Sequence, residues 1–152
     1  MMTANPWGEF KQDVISLLEN VLEKSGWKLD IPVEETIEVP PSPELGDLSS
    51  TIVFELSKTM HKAPTWISSK IKFPKPAGLI EKINITNNYI NFFASIPKLA
   101  ELTIASIEKL DKNYGITKSK KKKIIIEHTS INPTKPLHIG HGRNAILGDV
   151  IA

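Results

Sequence analysis

Apolar residues at Phe10, Val14, Leu17, Leu18, Val21 and Leu22 recur three and four positions apart, the spacing of one helical face. Asn5-Pro6 supplies a cap and a proline suited to the first turn, and Gly26 ends the run. Ile37 and Val39 alternate with polar neighbours, which predicts a short strand before the extended Pro40-Pro41-Ser42-Pro43 connection. A second helix is expected from Gly46-Asp47, with Asp47 as its cap and Leu48, Ile52, Val53, Leu56 and Met60 inward. Pro64 opens a short helix carrying Trp66, Ile67 and Ile71. Two strand-like runs, 81–86 and 89–93, flank Asn87-Asn88, residues that tolerate positive φ, and predict a β-hairpin. Pro97 then begins a helix with Leu99, Leu102, Ile107 and Leu110, closed by Gly115. Helix, strand, helices, hairpin and helix make an α+β plan, a small antiparallel sheet packed by helices.

The pattern changes after Gly115. Lysines at 118 and 120–123 run directly into Ile124-Ile125-Ile126, an all-apolar triplet expected to form a buried strand of a parallel sheet. A loop and a helix follow to Ala152. The division expected is therefore an N-terminal domain over 1–115, a basic linker over 116–123, and the first strand, loop and helix of a Rossmann-like domain over 124–152. A parallel strand needs parallel neighbours that these residues do not supply, so the chain reads as the front portion of a longer protein.

The composition narrows the chemistry. With 152 residues, 40% hydrophobic and 24% charged, the chain has the make-up of a globular domain. It has no apolar stretch of bilayer length and no signal peptide at the N-terminus, so a cytoplasmic location without membrane contact is expected. The absence of cysteine removes disulfides and thiolate ligands, and no metal site is expected. A net charge of +2 neither demands nor excludes nucleic acid, so any such site must be local.

The candidate chemistry lies in the segment from Glu127 to Asn144, placed where a strand would hand over to a helix, the position at which open α/β sheets bind nucleotides. His138 and His141, three apart at the helix start, put both imidazoles on one side of the first turn. They can donate to phosphate oxygens beside the free helix amides, while Gly140 lets a nucleotide approach the backbone. Stabilisation of charge on a reacting phosphate is the chemistry suggested.

His138-Ile139-Gly140-His141 resembles the signature of class I aminoacyl-tRNA synthetases, and its flanks, Asn132 to Leu137 and Arg143-Asn144, resemble the arginyl-tRNA synthetase form, archaeal in style. Pro43 to Ser50 and Tyr89 to Phe93 resemble segments of that family's N-terminal additional domain, so the likeness covers nearly the whole chain. The resemblance implies an enzyme that activates arginine with ATP, accompanied by Mg2+, and esterifies tRNA(Arg), although residues 1–152 alone are expected to be inactive. It assigns His138, Gly140 and His141 to ATP and places His138, His141 and Lys135 in catalysis, Lys135 as a stand-in for a lysine of a downstream signature. Glu127, Ser130 and Asn132 match positions that hold arginine. Tyr89 and Asn91 match positions that contact the tRNA D-loop, a ring for stacking and an amide for a base edge.

Several residues keep a plainer reading beside these. The two histidines could be surface residues or half of a metal site, and a strand-end glutamate is usually just solvated. Alternation must send one face of the hairpin inward: if Ile90 and Phe92 face the core, Tyr89, Asn91 and Phe93 share the other face. The lysine run is most simply a solvated linker. A stand-alone, non-catalytic RNA-binding module is the rival reading of the whole chain.

Overall fold

The computed structural model describes residues 5–116, 124–132, 134 and 136–151, and the chain divides into two units, Met1–Ile116 and Thr117–Ala152. The basic run at 117–123 and Lys135 lie outside the described residues.

The first unit is α+β. Helix α1 (Pro6–Ser25) begins where the Asn5 side chain accepts from the Gly8 amide at 3.0 Å, and ends at Gly26 with φ 68°. Strand β1 (Ile37–Glu38), strand β2 (Leu48–Ser50), helices α2 (Ile52–Met60) and α3 (Pro64–Lys70), strands β3 (Ile80–Thr86) and β4 (Tyr89–Ala94), and helix α4 (Ile96–Leu110) follow. The four strands form one antiparallel sheet in the order β1-β2-β4-β3. Asn87 and Asn88 both have positive φ, 52° and 67°, so the hairpin turns as its two asparagines predict. Phe10, Val14 and Leu18 of α1, Ile52, Val53 and Leu56 of α2, and Ile67 of α3 close over Leu48, Ile90 and Phe92 of the sheet.

One expected element is corrected. Asp47 does not cap a helix: Leu48–Ser50 is a strand, and α2 starts at Ile52. The Asp47 carboxylate accepts from the Ala94 amide at 2.9 Å and its own amide donates to the Phe92 carbonyl at 2.9 Å, which ties residues 47–50 to β4 before a helix can begin. The N-cap of α2 is instead Thr51, whose carbonyl accepts from the Phe54 amide at 2.9 Å, and the Ser50 hydroxyl accepts from the Ile52 amide at 3.2 Å. Gly46 makes the join possible. Its φ of 110° and ψ of −179° lie where side chains are not tolerated, and a Cβ there would stand 2.9 Å from the Phe92 carbonyl oxygen. Gly46→Ala is expected to cost at least about 1–3 kcal/mol, seen as a lower urea midpoint with unchanged slope.

The second unit contains helix α5 (Ile139–Ile151), preceded by irregular chain. The strand expected at Ile124-Ile125-Ile126 is not formed, and Ile125 is 91% exposed. A strand consists of hydrogen bonds to a neighbour, and no partner strand exists among the described residues of this unit.

Candidate functional site

The first candidate site lies on the sheet face turned away from the core. Register places Glu38, Ser49, Asn91 and Asn84 opposite one another across the four strands, a polar row next to the apolar row of Leu48, Phe92 and Ile83. The adjacent serines divide between the two faces. Ser50 points to the core side, bonded to Thr36 Oγ1 at 2.8 Å, and Ser49 donates to Asn91 Oδ1 at 2.8 Å. That bond fixes the polarity of the Asn91 amide, turning its NH2 group into the donor left for a ligand, although Asn91 is only 4% exposed. Ser49 and Asn91 form the floor of a cleft of about 260 Å³, walled by Pro40, Pro41 and Leu45 on one side and by Thr86, Asn87 and Tyr89 on the other. The Tyr89 ring meets Phe54 of α2 edge-on, with centroids 5.0 Å apart, and remains 38% exposed. Tyr89 and Asn91 therefore line one cleft, as the alternation of the hairpin requires, and Ile90 and Phe92 are fully buried on the other face. The contribution of Ser49 was not evident from sequence; the signal for it is a hydroxyl opposite the amide, which needs the β2–β4 register.

The second candidate site is the start of α5. His138 holds the N-cap position: its carbonyl accepts from the amides of His141 at 2.9 Å and Gly142 at 3.4 Å. Its ring Nδ1 accepts from the Gly140 amide at 3.2 Å, while Nδ1 of His141 accepts in return from the His138 amide at 3.3 Å. This is a reciprocal capping box made of imidazoles, and it stacks the two rings with centroids 3.8 Å apart. It also corrects one expectation: the amides of residues 140–142 are not free for an anion, because His138 takes all three. A neutral imidazole that accepts at Nδ1 carries its proton on Nε2, so each ring keeps one Nε2–H donor. Gly140 serves this arrangement directly, since a Cβ would come within 3.0 Å of His138 Cε1.

The residues before the helix are brought together in part. Ser130 Oγ donates to Glu127 Oε1 at 2.6 Å, and both line a cleft of about 360 Å³ with Asn144, Leu147 and Gly148 of α5. Asn132 is not among its lining residues: its Oδ1 accepts from the Thr134 amide and hydroxyl, at 3.0 and 2.6 Å, in a local turn. His128 lies on Gly148, where a Cβ would overlap its own at 2.0 Å, so the glycine permits the extended segment to reach the helix. Among the described residues there is no group of three His, Cys, Asp or Glu able to hold a metal ion, and no helix long and apolar enough to cross a membrane.

Comparison with known proteins covers both parts of the chain. Residues 12–94 match the family model for the arginyl tRNA synthetase N terminal domain, and residues 103–152 match that for the catalytic domain of class I (R) tRNA synthetases. The chain is 40% identical over 136 residues to an arginine–tRNA ligase of Methanococcus maripaludis, which covers 90% of the chain and 23% of the relative. It is 40% identical over 148 residues to that of Pyrococcus furiosus, covering 93% and 23%, and 41% identical over 147 residues to that of Methanocaldococcus jannaschii, covering 94% and 25%. The chain thus spans about a quarter of the length of these relatives. With an antiparallel sheet whose polar face carries Tyr89 and Asn91, a paired-histidine helix start, and family matches to both parts, the chain belongs to the arginyl-tRNA synthetase family.

Proposed function

We propose that the chain supplies the tRNA-contacting domain and the ATP-binding entry of a cytoplasmic enzyme that joins arginine to tRNA(Arg). Domain limits of 1–115 and 124–152, with a basic linker over 116–123, go with this reading. The observation that carries it is the imidazole box of His138 and His141, which presents two Nε2–H donors from one helix turn.

In the reaction, the arginine carboxylate attacks the α-phosphorus of ATP in line and pyrophosphate leaves; a terminal ribose hydroxyl of the tRNA then attacks the adenylate carbonyl and AMP leaves. The transferred charge sits on phosphate oxygens, and fixed donors stabilise it without reorganising. His138 and His141 fill that role, Gly140 gives the nucleotide access to the helix start, and Lys135 adds a cation to the same phosphates. Glu127 holds the arginine α-ammonium, its Oε1 oriented by the Ser130 hydroxyl. Asn132 completes the arginine contacts once its turn with Thr134 opens. Magnesium neutralises ATP phosphates when bound. Among the described residues no group of three His, Asp or Glu would hold it.

At the other site, the cleft of about 260 Å³ is smaller than the roughly 300–1,000 Å³ of pockets that enclose drug-sized ligands. It suits one unstacked base of the D-loop, stacked on Tyr89 and bonded by the Asn91 amide.

The test uses residues 1–152 and a full-length enzyme carrying the same segment. The short chain is expected to bind arginine tRNA without catalysing arginine-dependent pyrophosphate exchange, and the full-length enzyme to do both. Exchange with a different amino acid, or no tRNA binding by either protein, would refute the assignment.

A further inference from the structure

Residues 56–80 contain five lysines and no aspartate or glutamate, in a chain that has 17 acidic residues elsewhere. Of those lysines only Lys58 makes an ion pair among the described residues, with Glu55 at 2.8 Å; Lys62, Lys70, Lys72 and Lys75 are exposed and make none. An indole lies within this acid-free span. Trp66 of α3 is 40% exposed, Lys62 Nζ stands 5.8 Å from its ring centre, and Lys70 is one helical turn further along the same face. Trp27 backs the indole at 6.5 Å between centroids, and Ile67, the next residue, anchors α3 in the core. The opposite side of α3 is tied to the hairpin: Ser68 Oγ donates to Asn88 Oδ1 of the hairpin turn at 2.9 Å, one residue from Tyr89.

We infer that Lys62, just before α3, together with Trp66 and Lys70 of α3 forms a second RNA contact, taking backbone phosphates and one further unstacked base of the strand whose base enters the Tyr89 cleft. The inference rests on the hairpin being an RNA contact. Its physical basis is that single-stranded RNA is held by cations that follow the phosphates, interleaved with rings on which bases stack. An exposed tryptophan between two unpaired lysines offers both, and the Ser68–Asn88 bond fixes its position relative to the cleft. Carboxylates, which would repel phosphate, are absent from the span itself; the Asp30 carboxylate meets it at Thr59, whose hydroxyl donates to it at 3.0 Å.

The experiment titrates residues 1–152 with a stem–loop RNA bearing the D arm of an arginine tRNA, over a series of salt concentrations. Two variants are compared with the parent, Lys62→Ala/Lys70→Ala and Tyr89→Ala. Two phosphate contacts contribute about 1.4 to the slope of log K against log salt, so the lysine variant should bind roughly 25-fold more weakly near 0.1 M salt with a slope shallower by that amount. Its preference for an intact loop base over an abasic one should persist. Tyr89→Ala should show the opposite pattern, losing the base preference while keeping the slope. Trp66→Ala should weaken binding about five-fold or more, and Trp66→Phe should recover most of it. An unchanged slope in the lysine variant overturns the inference, as does tighter binding of the parent to phosphatidylserine vesicles than to the RNA. If Tyr89→Ala keeps the parent's base preference, the hairpin reading fails and this inference falls with it; an unchanged slope in the lysine variant, with the preference lost in Tyr89→Ala, overturns the inference alone.

Discussion

His138→Ala, in a full-length enzyme that carries this segment, is expected to slow arginine activation by about 10²- to 10³-fold, the loss of one fixed donor to a developing phosphate charge. Arginine affinity should change little, because Glu127 and Ser130 are held by their own bond. Part of the effect could come from the lost helix cap, which alone is worth about 0.5–2 kcal/mol. His138→Asn separates the two causes. Asparagine is a good N-cap and restores the acceptor for the Gly140 amide, but it offers no imidazole Nε2–H. Single-turnover activation should therefore stay slow in His138→Asn while thermal stability recovers. Activation at the parent rate in either variant would remove His138 from the phosphate site.

Tyr89→Ala is the second large effect, about 1–3 kcal/mol or roughly 5- to 150-fold in tRNA affinity, the worth of stacking one base. Asn91→Ala should cost less, since it removes hydrogen bonding without removing the platform. Ser49→Ala has a more selective consequence. With the Asn91 amide no longer fixed by the serine hydroxyl, the side chain can present either its oxygen or its NH2 to the cleft, so discrimination among loop bases should fall more than affinity does. Titration with tRNAs carrying each base, and an abasic residue, at the contacting D-loop position measures all three. Equal binding of all these RNAs by the parent protein would make the hairpin a scaffold only.

The parts of the fold legible in sequence are those set by local chemistry. Asn5-Pro6 and Gly26 bound α1 because a cap, a fixed φ and a left-handed residue act within a few positions. Asn87-Asn88 fixed the hairpin and, through period-two alternation, which residues share a face with Tyr89. Asp47 misled because its carboxylate looks like a helix cap in isolation, whereas its partner is the Ala94 amide 47 residues away. Ile124-Ile125-Ile126 misled differently: apolar run length records a preference for burial, and only a neighbouring strand turns that preference into a ladder. At the candidate sites, motif resemblance nominates residues but not the bonds that orient them. The Ser49–Asn91 bond depends on register, the imidazole box on two ring rotamers, and the Lys62–Trp66 contact on the path of a helix-ending residue, His61, with φ 52°.

The imidazole box also decides when the cost of ordering the site is met. A flexible side chain that is immobilised on binding takes about 0.5–1.5 kcal/mol from affinity. His138 and His141 are instead held by the first turn of α5 and by each other, so their rotational freedom is lost as the helix forms. On the proposed reading, a triphosphate arriving there would meet donors already at rest, and its binding energy would remain available for bringing the reactants to their in-line geometry. The same economy makes the helix start intolerant of a side chain at Gly140: a methyl group pressing on the His138 ring would return both donors to motion without touching the ligand.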